Sequence, residues 1–254
     1  TLEAEKGEDR MAAYQGIFKR VEKKYRLDAG QYRRLLARIG EFVQPDRFAE
    51  SLIGNIYYDT PDSRLIRTSL EKPVYKEKLR LRCYGVPADD TPVFAELKKK
   101  YKGVVYKRRV RMPLNIAAAY LAGRCPPPDP GQITREIDWF RSRYPGLAPA
   151  MYLSYERSAL CGRDDNGLRI TFDRRILWRR DTLDLTAGSG GSPLLAPDER
   201  LMEIKCVGAM PLWLAEALSD LAIWPSTFSK YGNAYKESLL TADAAQALGG
   251  IDCA

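Results

Sequence analysis

The chain has 254 residues, 45% hydrophobic and 29% charged, enough to bury a sizeable core as one large domain or two small ones. Its formal net charge of +8 points to an anionic partner (nucleic acid, a membrane surface or phosphorylated small molecules) without choosing among them. It contains no histidine, which excludes Ser-His-Asp and Cys-His catalysis, His-ligated zinc and imidazole acid–base chemistry.

In chain order, residues 1–17 are polar and read as a flexible lead-in. Phe18 to Leu27 reads as a first strand, and Asp28 as the N-cap of a helix carrying Tyr32, Leu35, Leu36 and Ile39 at helical spacing. Ser51 to Tyr58 is a second strand that ends at the turn Asp59-Thr60-Pro61-Asp62, with a short helix from Ser63 to Leu70 after it. Val74 to Tyr84 is a basic strand. Val93 to Lys100 and Val104 to Met112 form a hairpin through Lys102-Gly103. Helices follow at Asn115 to Ala122 and Thr134 to Tyr144, separated by the rigid loop Cys125-Pro-Pro-Pro-Asp-Pro-Gly131. Ala150 to Leu160 and Leu168 to Arg179 pair across Asp164-Asp165-Asn166-Gly167, a hairpin signal. Residues 187–193, rich in Gly and Ser, read as a flexible loop. Leu201 to Val207 is a last strand, and Pro211 to Leu221 and Tyr231 to Leu240 are closing helices. We take residues 18–240 as a single domain and 241–254 as a tail.

The cysteines Cys83, Cys125, Cys161, Cys206 and Cys253 form no C-x-x-C pair, so zinc and thioredoxin-like readings fail and reduced cytoplasmic thiols are expected. No apolar run reaches the roughly 18–20 residues of a membrane span. The nearest, Leu212 to Trp224, is interrupted by Glu216 and Asp220. The chain begins at Thr1, and a preceding signal, membrane segment or fused domain stays open.

Charge on alternate positions of successive strands carries the functional argument. Lys76, Lys78, Arg80 and Arg82 point to one side of their strand, because side chains alternate faces. The pattern recurs at Glu96 and Lys98, at Lys107, Arg109 and Arg111, and at Glu203 and Lys205, while Arg157 and Arg169 add one cation each. For any single strand a water-facing sheet explains this. Repetition favours enclosure, because an open face of like charges repels itself. The intervening residues Leu79, Leu81, Leu97, Val105, Val110, Ile170, Phe172 and Ile204 are apolar and ask for helices. An α+β fold follows: an antiparallel β-barrel with helices packed outside and cations lining an anion tunnel. Arg supplies bidentate phosphate contacts and Lys compact point charges, which makes Lys78, Arg109 and Lys205 substrate-binding candidates. Glu22, Glu96 and Glu203 share the register. They either pair with neighbouring cations or ligate Mg2+ or Mn2+ together with substrate phosphates.

The ordered motifs Glu22-Lys-Lys-Tyr25, Tyr57-Tyr-Asp59, Leu79-Arg-Leu-Arg-Cys-Tyr-Gly85, Phe94-Ala-Glu-Leu-Lys-Lys-Lys100, Tyr106-Lys-Arg-Arg109, Tyr155-Glu-Arg157, Leu168-Arg-Ile-Thr-Phe-Asp173, Leu201-Met-Glu-Ile-Lys205 and Phe228-Ser-Lys-Tyr231 resemble the catalytic domain of the vacuolar transporter chaperone (VTC) polyphosphate polymerases. These are triphosphate tunnel metalloenzymes, related to the CYTH phosphatases and cyclases. The resemblance implies that Arg80, Arg82, Lys98, Arg157 and Arg169, with Lys24 and Lys107, hold nucleotide triphosphate or polyphosphate. It implies that Tyr155, Ser229 and Lys230 complete the phosphate cradle and that Glu203 is the metal carboxylate, with Glu22 and Glu96 as further metal candidates. Tyr155 also reads as a core tyrosine, and Ser229 as a helix N-cap followed by an exposed Lys230. The family's first strand often reads Glu-x-Glu-x-Lys. Arg20 stands here for the first Glu, which suits the polymerase branch. No segment matches the family's inositol-phosphate-sensing domain or its membrane segments, so neither control by inositol phosphates nor translocation is expected of these residues. The implied reaction is transfer of the ATP γ-phosphoryl to a growing polyphosphate or pyrophosphate primer, dependent on Mn2+ or Mg2+. The alternatives are a tunnel triphosphatase, a nucleotidyl cyclase, or a non-catalytic binder of polyphosphate or nucleic acid, for which Tyr75, Tyr84, Tyr101 and Tyr106 would offer stacking surfaces. Alternation over many strands favours an enclosed tunnel, so nucleic acid is not expected.

Overall fold

The computed structural model describes residues 20–165 and 167–249. The expected lead-in, the strand start at Phe18, Asn166 of the hairpin turn and Cys253 lie outside the described residues.

The chain opens with β1 (Arg20–Leu27) and α1 (Ala29–Ile39). Asp28 caps α1 as expected: its carboxylate accepts from the Gln31 N–H at 2.7 Å, and the Gln31 side chain accepts from the Asp28 N–H at 3.2 Å. This reciprocal box satisfies two backbone donors that a helix start leaves open. The strand β2 (Val43–Asp59) is far longer than its apolar run suggests, because Val43–Pro45 and Glu50–Asp59 both pair with β6 (Ala148–Gly162) around an irregularity. The short helix α2 (Arg64–Leu70) precedes β3 (Tyr75–Tyr84), β4 (Pro92–Tyr101) and β5 (Val104–Pro113). Lys102 and Gly103 both take positive φ, 46° and 86°, as a two-residue hairpin turn of matching twist requires. Helices α3 (Leu114–Leu121) and α4 (Gln132–Arg143) lead to β6 and then β7 (Arg169–Arg179).

Residues 187–193 do not form the free loop that their composition suggests. They deliver β8 (Ser192–Pro193), which pairs with Leu177 and Trp178. The Arg179 guanidinium donates to the carbonyls of Thr182, Asp184, Gly188 and Gly190 at 2.7–3.2 Å. Gly191 sits at φ 118°, where a Cβ would lie 2.1 Å from the Trp178 carbonyl oxygen. The strand β9 (Arg200–Val207), helix α5 (Leu212–Asp220), the two-residue β10 (Pro225–Ser226) and helix α6 (Lys230–Gly249) complete the fold. The last helix runs through residues expected to begin a tail.

All strands join one antiparallel sheet in the order β10-β1-β9-β7-β6-β2-β3-β4-β5, with β8 beside β7. The closed barrel is not formed by hydrogen bonding among the described residues: β10 and β5 are its two ends. The sheet nevertheless curls round the start of α6: the Phe228 carbonyl accepts from Lys24 of β1, Lys230 reaches Asp173 of β7, and the Tyr231 ring centre lies 5.6 Å from Lys78 Nζ of β3.

Apolar residues of the convex face pack under helices as anticipated. Leu79, Leu81, Val93, Ala95 and Leu97 meet Ala117 and Tyr120 of α3 and Ile137 and Phe140 of α4. Tyr25, Ile170, Phe172 and Ile204 meet Leu35 of α1 and Leu214 and Leu218 of α5. Two expectations need correction. Val105 lies opposite Lys100, in the same alternation as Lys107, and is 46% exposed, so it belongs with the cations. Nor do all helices pack outside. Ile66 of α2 and Tyr231 and Ala234 of α6 cluster with Ile53, Tyr57, Leu153 and Tyr155, which lie on the concave side of β2 and β6. An apolar floor crosses the middle of that face, and it needs covering as much as the convex face does.

Candidate active site

The register places the expected charges on one continuous surface. Across β1 and β9, Glu22 faces Lys205 and Lys24 faces Glu203. Lys205 faces Arg169 across β9 and β7, and Arg157 faces Asp173 across β6 and β7. Tyr57 and Asn55 of β2 face Arg80 and Arg82 of β3. Arg80 and Lys78 then face Glu96 and Lys98 of β4, which face Arg109 and Lys107 of β5.

Three buried carboxylates organise these cations. Glu96 accepts from Arg80 Nε and Nη2 at 2.8 and 2.7 Å, and Lys107 Nζ lies 2.7 Å from its other oxygen. Burial pushes the Glu96 carboxyl up, but Arg80, Arg82 and Lys107 outweigh burial and hold it at about 2. Asp173 accepts from Arg157 Nε and Nη2 at 2.6 and 2.8 Å and from Lys230 Nζ at 2.5 Å. Burial raises its pKa, and Lys230 and Arg157 bring it down to about 2. Glu203 pairs with Lys205, and Lys24 Nζ lies 3.9 Å away. Against burial these cations hold it at about 2 as well.

Neutral groups fix the arginines further. Arg82 donates to Asn55 Oδ1 at 2.9 Å and to the Tyr155 hydroxyl at 3.1 Å. Tyr155 is thus both a core tyrosine and part of the surface: Arg157 and Lys230 lie over its ring at 5.2 and 4.4 Å. Arg80 donates to the Tyr57 hydroxyl at 3.0 Å. Burial raises the Tyr57 pKa, but Arg80 and Lys78 pull it down to about 8. Tyr57 stacks on Tyr231, whose hydroxyl donates to Asp59 at 2.8 Å. Asp59 also accepts from the Leu65 and Ile66 N–H groups that open α2, so it ties both helices to the surface.

Some expected residues stand apart. Arg169 pairs with Asp46 at 2.6 Å, at the end of the surface beside the β2 irregularity. Ser229 Oγ accepts from the Gly232 N–H at 3.1 Å and so caps α6. Arg109 lies over the Phe94 ring at 4.9 Å on the edge strand. Sequence reasoning gave no site role to Asn55, nor to Tyr57, Asp59, Asp173 and Tyr231, which it quoted only within the family motifs. Asp173 carried a signal, standing in alternation with Arg169. Asp46 carried none, because it lies outside the apolar run of β2.

Among the described residues no group of three His, Cys, Asp or Glu side chains is placed to hold a metal ion. Glu22 and Glu203 sit on neighbouring strands, each with an oxygen 3.9 Å from Lys24 Nζ. Two hard carboxylates suit Mg2+ or Mn2+ when phosphate oxygens and water supply the remaining ligands. Glu96 fits less well, since Arg80, Arg82 and Lys107 already surround it.

A family model described as the VTC domain matches residues 19–239. The chain belongs to the VTC domain family. No curated protein gives a significant match to this VTC domain. Among solved structures, it is similar to a Bacillus halodurans protein given by name as an unproven adenylate cyclase, at 16% identity and TM-score 0.51, covering 82% of this chain and 92% of that one. It is also similar to a Hippeastrum protein named as an adenylyl cyclase and described as revealing a dominant triphosphatase activity, at 16% identity and TM-score 0.52, covering 86% and 96%. These likenesses show that the VTC domain shares their triphosphate tunnel fold. The four described cysteines, Cys83, Cys125, Cys161 and Cys206, are free thiols, and no described helix is long and apolar enough to cross a membrane.

Proposed function

We propose that this VTC domain transfers the γ-phosphoryl of ATP to the terminal phosphate of a growing inorganic polyphosphate. The curved cationic face is read here as the wall of a tunnel. The observation that carries the proposal is geometric: strand register sets Lys24, Lys78, Arg80, Arg82, Lys98, Lys107 and Arg157 on one surface, where the carboxylates Glu96, Asp173 and Glu203 are each engaged by cations. A phosphate acceptor is already ionised and needs no base. Catalysis then rests on alignment and charge neutralisation.

Arg80 and Arg157 present guanidinium groups anchored by Glu96 and Asp173, and their remaining N–H groups would orient phosphate oxygens, while Arg82, bound by Asn55 and Tyr155, adds charge behind them. Lys24, Lys98, Lys107, Arg169, Lys205 and Lys230 add charge along the path. Glu203 and Glu22 are the side chains that would hold Mn2+ or Mg2+, which when bound neutralises phosphate charge. Cytoplasmic residence and the absence of a nucleic-acid partner belong to the same proposal.

A tunnel triphosphatase is the competing reading, favoured by the activity described for the Hippeastrum protein of the same fold. Purified protein incubated with ATP, Mn2+ and a pyrophosphate primer decides between them. A ladder of lengthening chains with ADP and little orthophosphate is the expected product. Orthophosphate without a ladder would establish the triphosphatase, pyrophosphate release a cyclase, and no product a binding role.

A further inference from the structure

The buried carboxylates Glu96, Asp173 and Glu203 meet cations, and Asp59 meets the N–H groups of a helix start. Glu77 has neither. It is 3% exposed and stands in alternation with Leu79, on the convex face of β3. Its two oxygens accept one hydrogen bond each, from the Tyr75 and Tyr144 hydroxyls, both at 2.7 Å. Burial and the Glu77 charge push the Tyr144 hydroxyl up to about 12 and raise Tyr75 as well, so both stay donors. No lysine or arginine pairs with Glu77 among the described residues. Lys99 stands opposite it on β4 but turns to Glu136 of α4 at 3.2 Å. Each carboxylate oxygen can accept a second hydrogen bond, and a buried charge without a counter-charge costs the fold stability.

A cavity of about 190 Å³ opens beside this carboxylate, between α2 and the end of α4, with Glu77, Tyr75, Tyr144, Arg64 and Arg143 in its wall. Both arginines are exposed and make no ion pair among the described residues. Arg64 lies over the Tyr144 ring at 6.0 Å, and Arg143 over the Trp139 ring at 5.2 Å. One cavity thus holds opposite charges apart, the carboxylate buried and the guanidinium groups in solvent. We propose that it is a second binding site, for a small zwitterion whose ammonium group meets Glu77 and whose carboxylate or phosphate meets Arg64 and Arg143. The two tyrosine rings beside Glu77 favour an ammonium group, and a buried carboxylate makes its strongest hydrogen bonds to a charged donor. The planar guanidinium fork matches either anion. The volume is below the roughly 300 Å³ at which pockets for drug-sized ligands begin, so the ligand has few heavy atoms. The site lies across the sheet from the concave charged surface and does not rest on the reaction proposed there.

The test is binding calorimetry with four probes: β-alanine and O-phosphoethanolamine as zwitterions, and ethylamine and orthophosphate as their separate halves. At least one zwitterion should bind one per chain, at least about tenfold tighter than either half, because each half leaves one charged contact unmade. The tighter of the two identifies the anion as carboxylate or phosphate. Glu77→Gln and the pair Arg64→Ser with Arg143→Ser should each weaken that zwitterion at least about tenfold. Melting curves check that the variants are folded. Should Glu77→Gln fail to fold, the arginine pair carries the test, since both side chains are exposed. A concave-face variant, Lys98→Ser, should leave the affinity within about twofold. Four results would overturn the site: neither zwitterion binds, orthophosphate alone binds as tightly, the arginine pair changes nothing, or the loss appears in Lys98→Ser instead.

Discussion

Replacing Asp173 with Asn tests the organisation of the site without assuming any reaction. The carboxylate is 1% exposed and serves Arg157 and Lys230, whose side chains are each 13% exposed. Asn keeps the shape but turns one acceptor into an NH2 group facing donors. Removing one partner of a buried pair costs about 3–5 kcal/mol. The lower end applies here, because both cations keep a route to solvent. At about 2–4 °C per kcal/mol for a chain of this size, the melting temperature should drop by roughly 6–12 °C at neutral pH. The pH dependence is the sharper check. The folded pKa of about 2 lies below the usual value near 3.8, so the charged form contributes its stability above about pH 4 and loses it as pH falls through 2. That contribution amounts to about 2–3 kcal/mol. Urea and thermal unfolding of wild type and variant across this range should show the gap narrowing on acidification. A gap that is absent at neutral pH, or that does not change with acid, would refute the account of Asp173 as the anchor of two cations.

Glu203→Ala should reduce phosphoryl transfer by about 10²–10³ while the protein stays folded, and wild-type turnover in a folded variant would remove Glu203 from the site. Tripolyphosphate affinity should decline as pH rises through about 8, where Lys78 loses its charge and the Tyr57 hydroxyl gains one. A Lys78→Arg, Tyr57→Phe variant should flatten that profile in the same titration. Gly191→Ala should destabilise the fold by about 1–3 kcal/mol in urea unfolding, because φ 118° excludes a side chain and the Cβ meets the Trp178 carbonyl.

The parts of this architecture that follow from local chemistry could be read in advance. Period-two charge located β3, β4, β5 and β9 to within a residue or two, the Asp28 N-cap fixed the start of α1, and Lys102-Gly103 fixed the hairpin. Features that depend on distant parts of the chain could not. The first half of β2 is polar and becomes a strand only because β6 offers partners. Arg179 fastens residues 182–190 through carbonyls, which leave no mark in the sequence. The cations of the site were legible because alternation displays them. Their anchors were less so: Glu96 and Glu203 read equally as partners of neighbouring cations or as metal ligands, and Asp173 was given no role, since a carboxylate's partner is chosen by register across strands. Tyr231 and Ile66 were hidden for a related reason. Nothing local in α2 or α6 says that these helices cover the concave floor.

The position of β1 bears on how the protein comes into being. It pairs with β9 and β10, strands contributed by residues 200–207 and 225–226, and Lys24 donates to the Phe228 carbonyl. During synthesis β1 emerges early and waits for partners that are made last, the kind of long-range closure that slows folding. Lys230 and Tyr231 arrive later still, and until then Asp173 and Tyr57 lack their contacts. A nascent chain can assemble the Glu96 cluster of β3–β5 early, but the Asp173 and Glu203 ends of the charged surface wait for the last residues. Premature termination before β9 leaves the first strand unpaired, and termination before α6 leaves Asp173 and Tyr57 without Lys230 and Tyr231, so such fragments should be cleared rather than persist as binders.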